Sequence, residues 1–227
     1  YDSIMDDIIE IYSKLKDTMY YVYLNVNDIE FEDKSVVLPS NLYSTDNIID
    51  HLDDNDKLIT NKTSLFIIVN NYYSKFWHNV PINKNMFGNN TNIRGIYFEG
   101  TIKDDEMPIL SGLTNLNYLY YGENILTTID VSGLTNLNYL NLSGNQLTNV
   151  SGLSDLINLN YLELANNQLT NVSGLGGLTN LNHLNLSYNQ LTNVSGLGGL
   201  TNLNQLNLYR NQLTTINVSG LTNLNYL

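Results

Sequence analysis

Few of the 227 residues are of types that act together in chemistry. The chain has three histidines and no cysteine, so disulfides, zinc ribbons and thiol nucleophiles are excluded. His51, His78 and His183 share neither an H-E-x-x-H spacing nor a triad pattern. Asp53, Asp54 and Asp56 cluster near Asp50, but a calcium loop of the helix–loop–helix kind needs a central Gly and a closing Glu. Neither is present, and the cluster reads as a solvated acidic loop. Gly176-Gly177 and Gly198-Gly199 recur with a longer period and do not form a phosphate loop between a strand and a helix. Asn-Val-Ser recurs in the same way, so its sequons are a by-product of repetition. No acid, base and nucleophile converge. The sequence therefore calls for no enzyme, no metal and no cofactor.

Charge narrows the partners. The formal net charge is −12. Phosphate backbones and anionic membrane surfaces are bound through Lys and Arg, so neither is expected. The longest apolar run, Leu65 to Val69, is strand-sized and far short of the ~20 residues of a membrane span. Only 14% of residues are charged, and Asn fills the gap at roughly one residue in six, well above ordinary usage. A chain that opens on Tyr1 and stops within a repeat at Leu227 reads as a processed product or a fragment.

Self-similarity dominates from Leu113. Asn124, Asn145, Asn167, Asn189 and Asn211 mark five units spaced by 21, 22, 22 and 22 residues. The second unit carries Leu137, Leu140, Leu142, Asn145 and Leu147, then Val150 and Leu153. This is the L-x-x-L-x-L-x-x-N-x-L pattern of a leucine-rich repeat. In Tyr139-Leu140-Asn141-Leu142-Ser143 the apolar positions alternate, so a short strand is expected with its leucines turned inward. The return stretch, Thr148 to Leu153, is too short for an α-helix and should be a tight turn with a 3₁₀ segment. The fold class is thus an α/β solenoid, with parallel strands on the concave face and 3₁₀ turns on the convex face. The asparagines of the series are expected to form a structural ladder, each amide pairing backbone groups that the turn leaves open.

The stretch 134–150, Leu-Thr-Asn-Leu-Asn-Tyr-Leu-Asn-Leu-Ser-Gly-Asn-Gln-Leu-Thr-Asn-Val, resembles the 22-residue repeats of bacterial internalins. The resemblance covers residues 113–227. It implies a solenoid of the same kind and adhesion to host-surface proteins through the concave sheet. Asn and Gly stand here where internalins often carry Pro-Leu on the convex side.

Residues 1–85 differ in composition and are expected to form a small α+β domain with a leading helix over Asp2–Met19. Ile4, Ile8, Ile11 and Leu15 space that helix either as a single amphipathic element or as the end of a coiled coil. Tyr20–Asp33 should hold one or two strands, Val36–Leu38 another, and Thr45–Leu52 a short helix. Leu65–Val69 is a buried strand or the core of a short helix. Residues 86–112 read as a degenerate capping repeat, with Ile93, Ile96 and Phe98 as its core and Thr101 at the Asn position. A solenoid needs such a unit because its first coil has no neighbour. Residues 113–227 form the repeat domain.

The strands expose a set of side chains between their leucines. These are Tyr118 and Tyr120; Tyr139 and Asn141; Tyr161 and Glu163; His183 and Asn185; then Gln205, Asn207 and Tyr209. Strands lie ~4.8 Å apart, so Tyr118, Tyr139, Tyr161, His183 and Gln205 form one row. That row is either a contact surface for a partner, rich in aromatic side chains that cost little entropy to order, or a set of duplicated residues packing on one another. The function expected is protein recognition by an adhesin-like, extracellular or cell-surface module, monomeric, with a host or cell-surface receptor as partner. The alternative is a segment of a viral or phage fibre, trimeric through its leading heptads.

Overall fold

The computed structural model describes residues 20–25, 42–43, 65–71, 93–100 and 103–227, the first three segments as backbone only. The helices expected over 2–19 and 45–52, the strand over 36–38, Thr101 and the acidic cluster at 50–56 lie outside the described residues.

Nine strands of the described residues form one sheet, in the order β2-β1-β3-β4-β5-β6-β7-β8-β9. They are β1 (Tyr20–Asn25), β2 (Leu42–Tyr43), β3 (Leu65–Asn71), β4 (Ile93–Gly100), β5 (Tyr118–Tyr120), β6 (Tyr139–Asn141), β7 (Tyr161–Glu163), β8 (His183–Asn185) and β9 (Gln205–Asn207). Every pairing is parallel except that of β1 with the edge strand β2. Leu65–Val69 is therefore strand, and it bridges β1 to the repeat sheet. Each repeat strand is centred on the first leucine of its L-x-L pair. The ladder runs further than the strand, since Leu142 N–H donates to the Glu163 carbonyl and Gly144 N–H to that of Ala165, both at 2.9 Å.

Register places like on like. Leu119, Leu140, Leu162, Leu184 and Leu206 are mutual neighbours across the coils. With Leu116 to Leu203 and Leu142 to Leu208 they fill one continuous core that begins at Ile93, Ile96 and Phe98. Each leucine is buried against the coils before and after it, so burial is shared between neighbours. The return turns are 3₁₀ at Ser151–Leu153, Ser173–Leu175 and Ser195–Leu197, and Leu153, Leu175 and Leu197 seal the convex side. Backbones approach closely there. A Cβ on Gly199 would collide with the Gly176 carbonyl oxygen, and one on Gly176 with that of Gly196.

The coil turns out of the sheet on the amide ladder. Asn167 Nδ2 donates to the carbonyls of Leu142 (2.9 Å), Leu164 (3.1 Å) and Ala165 (3.3 Å). Its Oδ1 accepts from Leu147 N–H at 3.0 Å in the preceding coil. Asn145, Asn189 and Asn211 repeat the pattern. The residue before each ladder Asn has a left-handed backbone: Glu123 (φ 57°), Gly144 (66°), Asn166 (54°), Tyr188 (54°) and Arg210 (57°). That conformation is free for Gly and mild for Asn, but costs other L-residues about 1–2 kcal/mol.

The first coil is irregular. Tyr121 replaces the second core leucine and packs on Phe98 with ring centroids 4.2 Å apart. Its hydroxyl is buried with no hydrogen-bond partner, and burial pushes its pKa well up. Asp104 ties the incoming chain to this coil by accepting from Thr127 N–H (2.9 Å) and Thr128 N–H (3.2 Å).

Three stability outcomes are expected from denaturant midpoints. Leu164→Ala lowers stability by about 2–5 kcal/mol through an unfilled core position. Asn167→Ala lowers it by about 1–3 kcal/mol by orphaning buried backbone groups; an unchanged midpoint would remove the ladder as a source of stability. Tyr121→Phe leaves the midpoint unchanged or raises it, because it deletes an unsatisfied hydroxyl at constant shape.

Candidate functional site

The outward side chains of the strands form columns that cross the coils. The first column is a stack of rings. Tyr118 lies on Tyr139 at 4.3 Å, Tyr139 on Tyr161 at 4.6 Å, and Tyr161 on His183 at 4.2 Å, with interplanar angles of 11°, 8° and 6°. Gln205 follows His183. Parallel strands in register impose this stacking, because identical side chains sit one strand spacing apart. In the second column Tyr120 stacks on Tyr97 of β4 at 4.2 Å, followed by Asn141, Glu163, Asn185 and Asn207.

Stacking buries part of the face. Tyr118 and Tyr120 are each 7% exposed, and Asn141 is buried as well. Burial pushes the Tyr139 phenol up to about 12. Asn141 turns back on its own strand, its Oδ1 accepting from Ser143 N–H (2.9 Å) and Oγ–H (2.7 Å). Tyr139, Tyr161, Glu163, His183 and Asn185 are half-buried, while Gln205, Asn207 and Tyr209 are exposed. The expected contact residues thus share one face.

One polar cluster links the two columns. Glu163 Oε1 accepts from the Tyr161 hydroxyl at 2.8 Å and meets His183 Nε2 at 2.9 Å. His183 Nδ1 meets Gln205 Oε1 at 2.9 Å. Burial alone would depress the imidazole pKa. The hydrogen bonds to Glu163 and Gln205, with the Glu163 charge, outweigh it and hold the pKa above 6.5. His51 and His78 lie outside the described residues. Among the described residues no three His, Asp or Glu side chains group to hold a metal, and no helix is long and apolar enough to cross a membrane.

The structure adds residues that the repeat pattern alone did not single out. Asn136, Asn158, Asn180, Asn202 and Asn223 each donate to a carbonyl of the preceding coil, at 2.7–2.9 Å. All of these but Asn136 line a groove of about 570 Å³, together with the column Asn138, Asn160, Asn182, Asn204 and Asn225. The recurrence of Thr-Asn-Leu-Asn at the repeat period was the available signal. Beside the second column, Tyr188 and Tyr209 meet edge to face at 5.5 Å, with the Arg210 guanidinium 5.4 Å from the Tyr209 ring centre.

A pH dependence follows from His183. A raised folded pKa means that protonation stabilises the fold, fully below the unfolded value near 6.5 and progressively less as pH rises through the folded value. His183→Phe keeps a ring in the stack but cannot titrate. The stability advantage of wild type over His183→Phe should be larger near about pH 5.5 than near about pH 8.5, measured as unfolding midpoints. A difference independent of pH would detach the imidazole charge from stability.

Comparison with known proteins agrees with this geometry. The leucine-rich-repeat family model, which spans two repeat copies, matches residues 135–177, 157–199 and 179–223. No curated protein matches the chain. An internalin, inlF, from Listeria monocytogenes is 26% identical with a TM-score of 0.57, covering 77% of this chain and 58% of its own. Internalin C2 from the same organism is 33% identical with a TM-score of 0.51, covering 60% and 61%. A leucine-rich-repeat protein of Leptospira interrogans shares the fold at 23% identity and a TM-score of 0.61, covering 78% and 45%. The chain thus spans less than two thirds of the length of each. By its repeats and its solenoid, this chain is an internalin-like leucine-rich-repeat protein.

Proposed function

We propose that the solenoid is a protein-recognition module of an extracellular or cell-surface protein, adhesin-like, that engages its partner on the concave sheet face. The observation that carries this reading is the sheet face itself. Its rings are stacked and held in place before any partner arrives, so little side-chain entropy is lost on contact. Tyr139, Tyr161, Glu163, His183 and Asn185 keep part of their surface open on that rigid floor. Rigid, aromatic-rich surfaces are where binding energy concentrates. Between Leu113 and Leu227 the only charged residues are Glu123, Asp130, Asp155, Glu163 and Arg210. Long-range steering is therefore weak, and contact area with short-range bonds must supply affinity. The resemblance to internalins supports a surface or secreted setting and a receptor protein as partner.

A display library of extracellular ectodomains, selected on the full chain, tests this. Gln205→Ala combined with Asn207→Ala and Tyr209→Ala should weaken a selected partner by more than tenfold. Asn149→Ala with Asn171→Ala on the convex side should leave affinity nearly unchanged. The reverse pattern would move recognition to the convex face.

A further inference from the structure

Two columns of asparagine run along the ends at which the repeat strands begin. All six units keep both members as Asn-Leu-Asn, from Asn115 and Asn117 to Asn223 and Asn225. Neighbouring outward positions drift between Tyr, His and Gln, or between Tyr, Asn and Glu, and the Thr before the pair gives way to Ile157. The first column has a structural task, holding carbonyls of the preceding coil. The second is needed less. Asn117 Nδ2 donates to the Asn136 carbonyl at 2.9 Å, but Asn138 and Asn160 reach their carbonyls only at 3.3 Å. The Asn182 side chain has no partner among the described residues. An exposed amide kept in every unit, with or without a bond to the fold, points to a use outside it.

The groove between the columns is lined by asparagine alone. From Asn138 to Asn204 each member of the second column has a counterpart in the coil before and in the coil after. Nδ2 bonds fix the amide planes, while the Oδ1 atoms of Asn138, Asn158, Asn160 and Asn180 accept nothing from the described residues. None of these oxygens is buried. The result is two rows of preset acceptors at the strand spacing of ~4.8 Å. The main chain is already paired here, Asn160 N–H and Tyr161 N–H both donating to the Asn138 carbonyl, so no strand can add to it. A peptide would also be out of step, because its like-facing groups recur at ~6.6–6.8 Å. Nucleic acids and acidic polymers call for Lys or Arg, and the groove has neither. A neutral chain of hydroxyl donors fits. A hydroxyl donates and accepts, as the amides do, and an extended β-linked pyranose chain advances by about one coil per ring.

We propose that the asparagine groove binds a neutral, extended, β-linked polysaccharide, laid across the coils with one sugar to each and its hydroxyls donating to the Oδ1 rows. The site lies beside the sheet face and does not depend on protein recognition there. Preset amides lose little entropy on contact, and in a linked chain each further sugar binds as an intramolecular step. Affinity therefore grows with chain length and is indifferent to salt.

The probes are cellohexaose, xylohexaose and chitohexaose, titrated calorimetrically on the full chain, with maltohexaose as the α-linked chain that coils. At least one β-linked hexamer should bind, more than tenfold tighter than its own dimer and than maltohexaose, at low and high salt alike. Asn160→Ala with Asn182→Ala should weaken that hexamer more than tenfold at an unchanged unfolding midpoint. The convex pair Asn149→Ala and Asn171→Ala should leave it bound. Binding of none of the β-linked hexamers would overturn the proposal. So would maltohexaose bound equally well, no gain from dimer to hexamer, or a hexamer held equally by the Asn160 and Asn182 variant. If that variant unfolds more easily, Asn182→Ala alone carries the test, because its side chain holds nothing in the fold, and an unchanged affinity there overturns the site. The comparison of linkages and lengths needs no variant and decides independently.

Discussion

The structure depends on one constraint: a chain that leaves a parallel sheet within two or three residues must satisfy its backbone groups without water. At the end of each strand a carbonyl such as that of Leu142 points where no further strand can pair it, and side-chain amides take it instead. An amide side chain solves this because it donates and accepts from one rigid plane. Asn145 gives its Nδ2 hydrogens to its own coil and to Tyr121 of the coil before, while its Oδ1 takes Leu126 N–H. Each coil is therefore completed by the amide of the next. The leucines pack because this turn holds them in register, and the rings on the opposite face stack for the same reason.

Much of this architecture is legible in the chain. Leucines at fixed offsets and one Asn per period specify strand, inward face and turn. The internal position of Ile93, Ile96 and Phe98 follows from the same template. Less legible is how much of the sheet face stays open. Alternation says that Tyr118 and Tyr120 point away from the leucines, but not that stacking on Tyr139 and Tyr97 buries them. Burial here comes from neighbours one period away. The Thr-Asn-Leu-Asn columns escaped notice because an exposed Asn looks like ordinary solvated surface until its carbonyl partner in the preceding coil is located. The left-handed backbone at Tyr188 and Arg210 was hidden for another reason: neither residue type advertises positive φ, as Gly144 does.

The two faces of the sheet divide the labour. The inward face is almost wholly Leu, gaining burial and little else. The outward face carries few charges, and its polar links, such as Tyr161–Glu163–His183, bind columns to each other. Flexibility is thereby removed from the first two columns and variety is left to the rim, where Tyr188, Tyr209 and Arg210 differ from their counterparts in earlier coils. A repeat array built by duplication can diversify there at little risk to its core.

The amide ladder also bears on the chemical lifetime of the protein. Asparagine is a thermolabile residue: it deamidates when the backbone nitrogen of the following residue attacks the side-chain carbonyl. Conversion of Asn167 to a carboxylate would remove its donated hydrogen bonds and place a negative charge in dry surroundings. The following nitrogens are engaged, however. Gln146, Gln168, Gln190 and Gln212 N–H donate to Leu126, Leu147, Leu169 and Leu191 carbonyls at 2.8–2.9 Å. The ladder amides themselves are pinned at both ends. A nucleophile tied up as a donor and a carbonyl held out of its path make ring closure slow, so the hydrogen bonds that use the amide also protect it from ageing.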